Sequence, residues 1–207
     1  MEETTENKNT EIKILEAAQE VFIQKGLDGS RMQEIADTAG INKSLLHYYY
    51  RTKDKLFLAV FKMVIKRFLP VLLDILNSDL PFFDKIYKFS DFYMKALRRN
   101  QFLPMFIIHE INRHPEKIIE VFQETGITPD KFIRHVNKEI EAGNIIKINP
   151  LQLIVNLFSL CIFPVIGRPL LQGVFFKNDK SVYDEFLDNR HGEVPEFFIN
   201  AIKIKKV

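Results

Sequence analysis

Tryptophan is absent from this 207-residue chain, and cysteine occurs once, at Cys161. A single cysteine excludes an internal disulfide framework and any cysteine cluster for a metal. It sits in an apolar run, the place of a buried small hydrophobe rather than a redox sensor. A membrane span is also missing: the most apolar stretch, residues 151–176, is broken by Asn156, Pro164, Arg168 and Pro169. The amino terminus, MEETTENKNTE, is acidic and polar, so no signal peptide is expected and the expected location is cytoplasmic. No Gly-rich phosphate loop and no nucleophile elbow occur. His109-Glu110 and His114 suggest the zinc motif H-E-x-x-H, but these histidines are five apart and fall on different helix faces. No catalytic residue, metal or cofactor is therefore expected. Strand-period alternation and internal repeats are missing too, which leaves an all-α protein.

What is present is helical punctuation at regular intervals. Residues 1–9 read as a frayed tail, and Thr10 as the N-cap of a first helix carrying Ile14, Ala17, Ala18, Val21 and Phe22 inward to a stop at Lys25-Gly26. Ser30 and Gln33 have the capping-box spacing, which predicts a short helix ended by Gly40. Ile41 supplies an apolar anchor and Asn42 a second N-cap. The next helix turns Leu45 and Leu46 inward and Lys43, Ser44, His47 and Tyr49 outward. Thr52 caps a long helix from Lys53, with a kink or break expected near Phe68 because of Pro70.

Two short helices about a glycine turn, the second studded with donors, form a helix-turn-helix able to seat in the DNA major groove. Charge agrees with that reading. Residues 1–40 hold four basic and nine acidic side chains, whereas 41–68 hold seven basic and one acidic. The basic excess begins with the second of the two helices, the kind of local footprint that phosphate binding uses.

Ala36-x-x-x-Gly40-Ile41, Leu46-His47-Tyr48-Tyr49-Tyr50 and Thr52-Lys53-x-x-Leu56 resemble the DNA-binding segment of TetR-type transcriptional regulators. The resemblance covers roughly the first quarter of the chain. It implies a helix-turn-helix domain over 1–52 and a helical regulatory and dimerisation domain over 53–207. It further implies that Lys43, Ser44, His47, Tyr48 and Tyr49 touch bases or adjacent phosphates, and that Lys53, Ser30 and Arg31 touch phosphates. His47 stands where the family has Tyr, so a phosphate contact there is lost or becomes pH-dependent.

The body reads as further helices opened at Pro81, Pro115, Thr128-Pro129 and Asn149-Pro150, with one or two more from Val182. Phe82, Ile86, Phe89, Tyr93 and Leu97 share one face. A short apolar segment follows at 102–111, and Ile118, Ile119 and Phe122 are expected inward from the Pro115 helix. Nineteen Phe make this body rich in aromatics. By resemblance its helices surround a cavity, lined from Phe89, Tyr93, Phe106, His109 and Phe122, for a hydrophobic or aromatic effector. Ser90, Glu110 and Asn112 are polar groups that could point into it. The helices 128–142 and 150–166 match the pair that joins two TetR-type protomers, which makes Phe132, Val136, Leu153, Leu157, Leu160 and Cys161 the expected dimer contacts.

The expected function is a homodimeric regulator, most often a repressor in that family, released from a palindromic operator in double-stranded DNA by a small-molecule ligand. A helical enzyme or carrier of apolar molecules is the alternative from another class. A regulator controlled by a protein partner is a third reading.

Overall fold

In a computed structural model some of the punctuation residues, Gly40, Asn42, Pro115 and Asn149 among them, stand where helices begin or end. The structure describes residues 2–100, 104, 105, 108, 112, 115–124, 126 and 128–205; for 2–6, 117, 118 and 121 it describes the backbone alone. The described helices are α1 (Glu2–Gly29), α2 (Met32–Thr38), α3 (Lys43–Tyr49), α4 (Lys53–Asn77) and α5 (Phe82–Arg99). They continue as α6 (Pro115–Gln123), α7 (Asp130–Glu141), α8 (Pro150–Ile166), α9 (Arg168–Phe175) and α10 (Lys180–Ile202). The all-α expectation holds. Among the described residues, extended pairing is confined to an isolated antiparallel bridge between Ile145 and Lys203.

The chain divides into two compact units, Met1–Arg67 and Phe68–Val207. The sequence boundary after residue 52 marks the start of α4, and the first unit takes in α4 as far as Arg67.

In the first unit α1 starts at Glu2, so residues before Thr10 continue the helix rather than forming a tail. Gly26 interrupts α1 with φ 70° and ψ 175°, a conformation open in practice only to glycine. Ile14, Ala18, Val21 and Phe22 of α1 are buried, as are Ile35 and Ala36 of α2, Leu46 of α3 and Phe57 of α4. The Phe22 and Phe57 rings lie 4.6 Å apart. The capping box does not form. Arg31 occupies the α2 N-cap position, Ser30 donates its hydroxyl to the Leu27 carbonyl at 2.7 Å, and Gln33 pairs with Asp37 at 2.8 Å. The hydroxyl is claimed by the end of α1 instead of the start of α2.

In the second unit α5 packs against α10, α8 and α7, and Phe82, Ile86, Phe89, Tyr93 and Leu97 are all buried in its core. Helix α4 runs on through Pro70 without a break. Its Leu72 and Leu76 enter the same core, and such burial outweighs the roughly 3 kcal/mol a helix-interior proline costs. Asn149 caps α8 by accepting from the Leu151 N–H at 2.8 Å. Thr128 does not cap α7; its hydroxyl meets the Asp130 carboxylate at 2.6 Å. Ile119 and Phe122 of α6 are exposed, contrary to their expected inward placement.

A polar chain leads from this core to its surface. Lys85 is 2% exposed, and its ammonium donates to the Leu76 carbonyl at 3.2 Å and to His135 Nδ1 at 2.7 Å. His135 Nε2 lies 3.3 Å from Glu139, whose other oxygen accepts from Asn144 at 2.8 Å. A neutral imidazole protonated at Nε2 satisfies both contacts. Burial, and next the Lys85 charge, hold the His135 pKa below its ordinary value; burial likewise lowers that of Lys85.

Candidate nucleic-acid interface

The turn between α2 and α3 is a Schellman motif. The Ile41 N–H bonds to the Ala36 carbonyl at 3.0 Å and the Gly40 N–H to that of Asp37 at 3.1 Å. Gly40 takes φ +68°, the left-handed conformation this motif requires. Asn42 then caps α3, its side chain accepting from the Leu45 N–H at 2.7 Å. With Leu46 buried against the first unit's core, the register of α3 is set, and Lys43, Ser44, His47 and Tyr48 emerge on its exposed side. Tyr48 is 76% exposed.

The remaining expected DNA contacts are placed differently. Tyr49 is half-buried, its hydroxyl turned back to Asn7 of α1, and its ring meets Tyr48 edge-on at 5.5 Å. Ser30 is 3% exposed, with its hydroxyl engaged as above. Lys53 donates to the carbonyls of Leu27 at 2.6 Å and Ser30 at 3.1 Å, so two of an ammonium's three donors tie α4 to the end of α1. Arg31 is exposed, and so are Arg51 and Lys55, two cations from the same basic stretch that the motif-based reading passed over. Asn7 and Glu11 were missed as well. Glu11 accepts from the Tyr50 hydroxyl at 2.8 Å, and burial, then this bond, raise the Tyr50 pKa. Nothing local in the sequence announces either partner, since each lies about forty residues from its tyrosine.

In the body, the described members of the expected effector lining, Phe89, Tyr93 and Phe122, take different places. Phe89 and Tyr93 are buried, with Phe158 packed on both rings at 4.9 and 5.2 Å. They are core side chains. Phe122 is exposed, while Phe106, His109 and Glu110 lie outside the described residues. Ser90 is fully buried, and Asn112 is exposed with its amide on the Ile108 carbonyl at 2.7 Å.

The expected dimer contacts need a similar correction. Phe132, Val136, Leu153, Leu157 and Cys161 face the chain's own core and are at most 1% exposed. Burial pushes the Cys161 thiol up to about 12, as befits an inert packing group. Leu160 is half-buried. The outward side of α7 presents Lys131, Arg134, Asn137, Lys138 and Glu141, a solvated surface. On α8, by contrast, Leu151, Val155 and Phe163 form an exposed apolar stripe, and Phe197 of α10 is 67% exposed. A groove of about 690 Å³ runs between these two helices. Arg190 stands in it, donating one terminal N–H to the Leu160 carbonyl at 2.6 Å, while its Nε finds no acceptor among the described residues. No single described helix is long and apolar enough to cross a membrane.

A glycine-turned helix pair with a polar, solvent-facing second helix defines the class: a helix-turn-helix DNA-binding domain joined to a helical body. Residues 14–60 match the family model described as "Bacterial regulatory proteins, tetR family". Over these residues the chain is similar to the amino-terminal domain of TetR-family regulators. The HTH-type transcriptional regulator RutR of Escherichia coli is 40% identical over 52 residues, 25% of this chain and 24% of RutR. The match thus spans about a quarter of that relative's length. Across the whole chain the likeness is one of fold. A TetR/AcrR-family regulator from Thermobifida fusca superposes with a TM-score of 0.67 at 17% identity, over 93% of this chain and 97% of its own. FadR of Bacillus subtilis, solved with stearoyl-CoA, gives 0.65 at 15% identity, over 92% and 98%.

Proposed function

We propose that the protein is a homodimeric transcriptional regulator, acting as a repressor that leaves a palindromic operator when a small molecule binds its body. The observation that carries this reading is the first turn of α3. Lys43, Ser44 and His47 are exposed there, and a Schellman turn and a buried Leu46 fix their direction. Side chains at the start of a second helix are the ones that reach base edges in helix-turn-helix proteins. Two copies related by a two-fold axis would read half-sites about 34 Å apart, one DNA turn or a multiple of it.

The dimer contact in this reading is the outward side of α8 and α10, not the α7–α8 pair. An apolar stripe along α8, Phe197 beside it, and a cation in the groove with an unmet N–H together suit a self-complementary partner. Ligand would act by shifting the population between head spacings. Selecting bound duplexes from a random pool tests the proposal. A palindrome of two spaced half-sites is the expected product, and recovery of no common sequence would contradict it.

A further inference from the structure

The carboxyl-terminal end of α5, the corner between α8 and α9 and the first turns of α10 enclose a second cavity, of about 470 Å³. Its volume is in the range of small-molecule sites. Val165 and Leu187 give it a buried apolar floor, and Met105 an exposed apolar edge. Its rim is polar and unbalanced: Arg98, Arg168 and Lys180 stand against one carboxylate, Asp184.

That rim is held in place. The Arg168 guanidinium bonds Asp184 at 2.9 Å, donates from Nε to Gln172 at 3.1 Å and lies 5.2 Å from the centre of the Tyr183 ring. Arg98 pairs with Asp188 just outside the cavity. Lys180, exposed at the start of α10, carries the rest of the rim's positive charge. A cationic molecule entering here meets like charge, and a neutral one gains only the floor. A molecule with an anionic head and an apolar tail gains both.

We propose that this cavity binds an anionic amphiphile, a carboxylate or phosphate head on an apolar tail, and that its occupancy is what the regulator senses. The second half rests on the reading of the chain as a ligand-responsive regulator; the first does not.

The test uses the absence of tryptophan from the chain. Met105→Trp places the chain's only tryptophan on the cavity edge, excited selectively over the six tyrosines. It is titrated, below micellar concentrations, with decanoate, decyl phosphate, decanol and decyltrimethylammonium, and duplex binding is followed in parallel. One or both anions shift the emission, at least about tenfold more tightly than decanol, since charge-assisted contacts are the stronger ones. The tighter anion identifies the head group. Lys180→Glu removes most of that advantage and leaves decanol unchanged. No shift with either anion, equal affinity for decanol, or an unchanged anion advantage in Lys180→Glu would overturn the site. If the anions bind as expected while duplex affinity stays constant, the site stands and its sensing role falls. If the protein binds no duplex at all, the regulator reading fails and the fluorescence alone decides the site.

Discussion

Lys43 and Lys53 carry the same charge ten positions apart in the head, yet the structure gives them different work. Lys43 is exposed at the start of α3, whereas Lys53 spends two donors on the carbonyls that close α1. Phosphates carry no sequence information, so a phosphate contact and a base contact fail differently when removed. Lys43→Ala should cost roughly 1–3 kcal/mol on the true operator if it reads a guanine, with little change on scrambled DNA. Lys53→Ala should weaken both DNAs alike and also lower the melting temperature, because the Leu27 and Ser30 carbonyls lose their donor. Isotherms at several salt concentrations, with thermal melts beside them, separate the two. Equal losses on both DNAs for Lys43→Ala would show that it does not read bases. How far such roles were legible varied with distance along the chain. Gly40, Asn42 and Leu46 announce the turn, the cap and the inner face within one short stretch. The direction of Tyr49 depends on Asn7, far off in the chain, whereas Ser30 had two local options and took the Leu27 carbonyl over the start of α2.

Helix α8 shows the same contrast over a whole element. Its start was legible because Asn149-Pro150 is a local cap. Its faces were not, because apolar residues surround it and sequence offers no polar stripe to mark the outside. The structure sorts them: Leu153, Leu157 and Cys161 inward, Leu151, Val155 and Phe163 outward. Phe197→Glu, on the exposed side of α10, should therefore leave the fold intact and shift sedimentation from dimer to monomer at micromolar concentration. A dimer of unchanged strength would move the contact elsewhere. The tie between α5 and α7 yields a pH dependence. His135 is harder to protonate folded than unfolded, so its contribution is present above the ordinary histidine pKa of about 6.5 and is lost as pH falls below it through the folded value. Melting temperature should drop between pH 7.5 and 5.5, and less steeply in His135→Gln, which keeps an acceptor for Lys85 but does not titrate. Identical slopes would remove His135 from the account.

For the whole molecule, the head and the body answer to different evidence. The head carries both the family match and the turn geometry, while the body shares its architecture with regulators fewer than one residue in five of which are identical. Of the Phe-rich lining expected in the body, Phe89 and Tyr93 are packed as core under Phe158. The reading of this protein then stands on symmetry: two chains, each placing one α3 in one major groove of a palindrome. The most direct measurement titrates the protein onto the selected duplex and onto the same duplex with one half-site scrambled, with stoichiometry and affinity read together. The account predicts two chains on the intact duplex and a loss of about a thousandfold when one half-site is scrambled, as expected when specific contacts on one side are replaced by non-specific ones. One chain per duplex, with equal affinity for both DNAs, would contradict it.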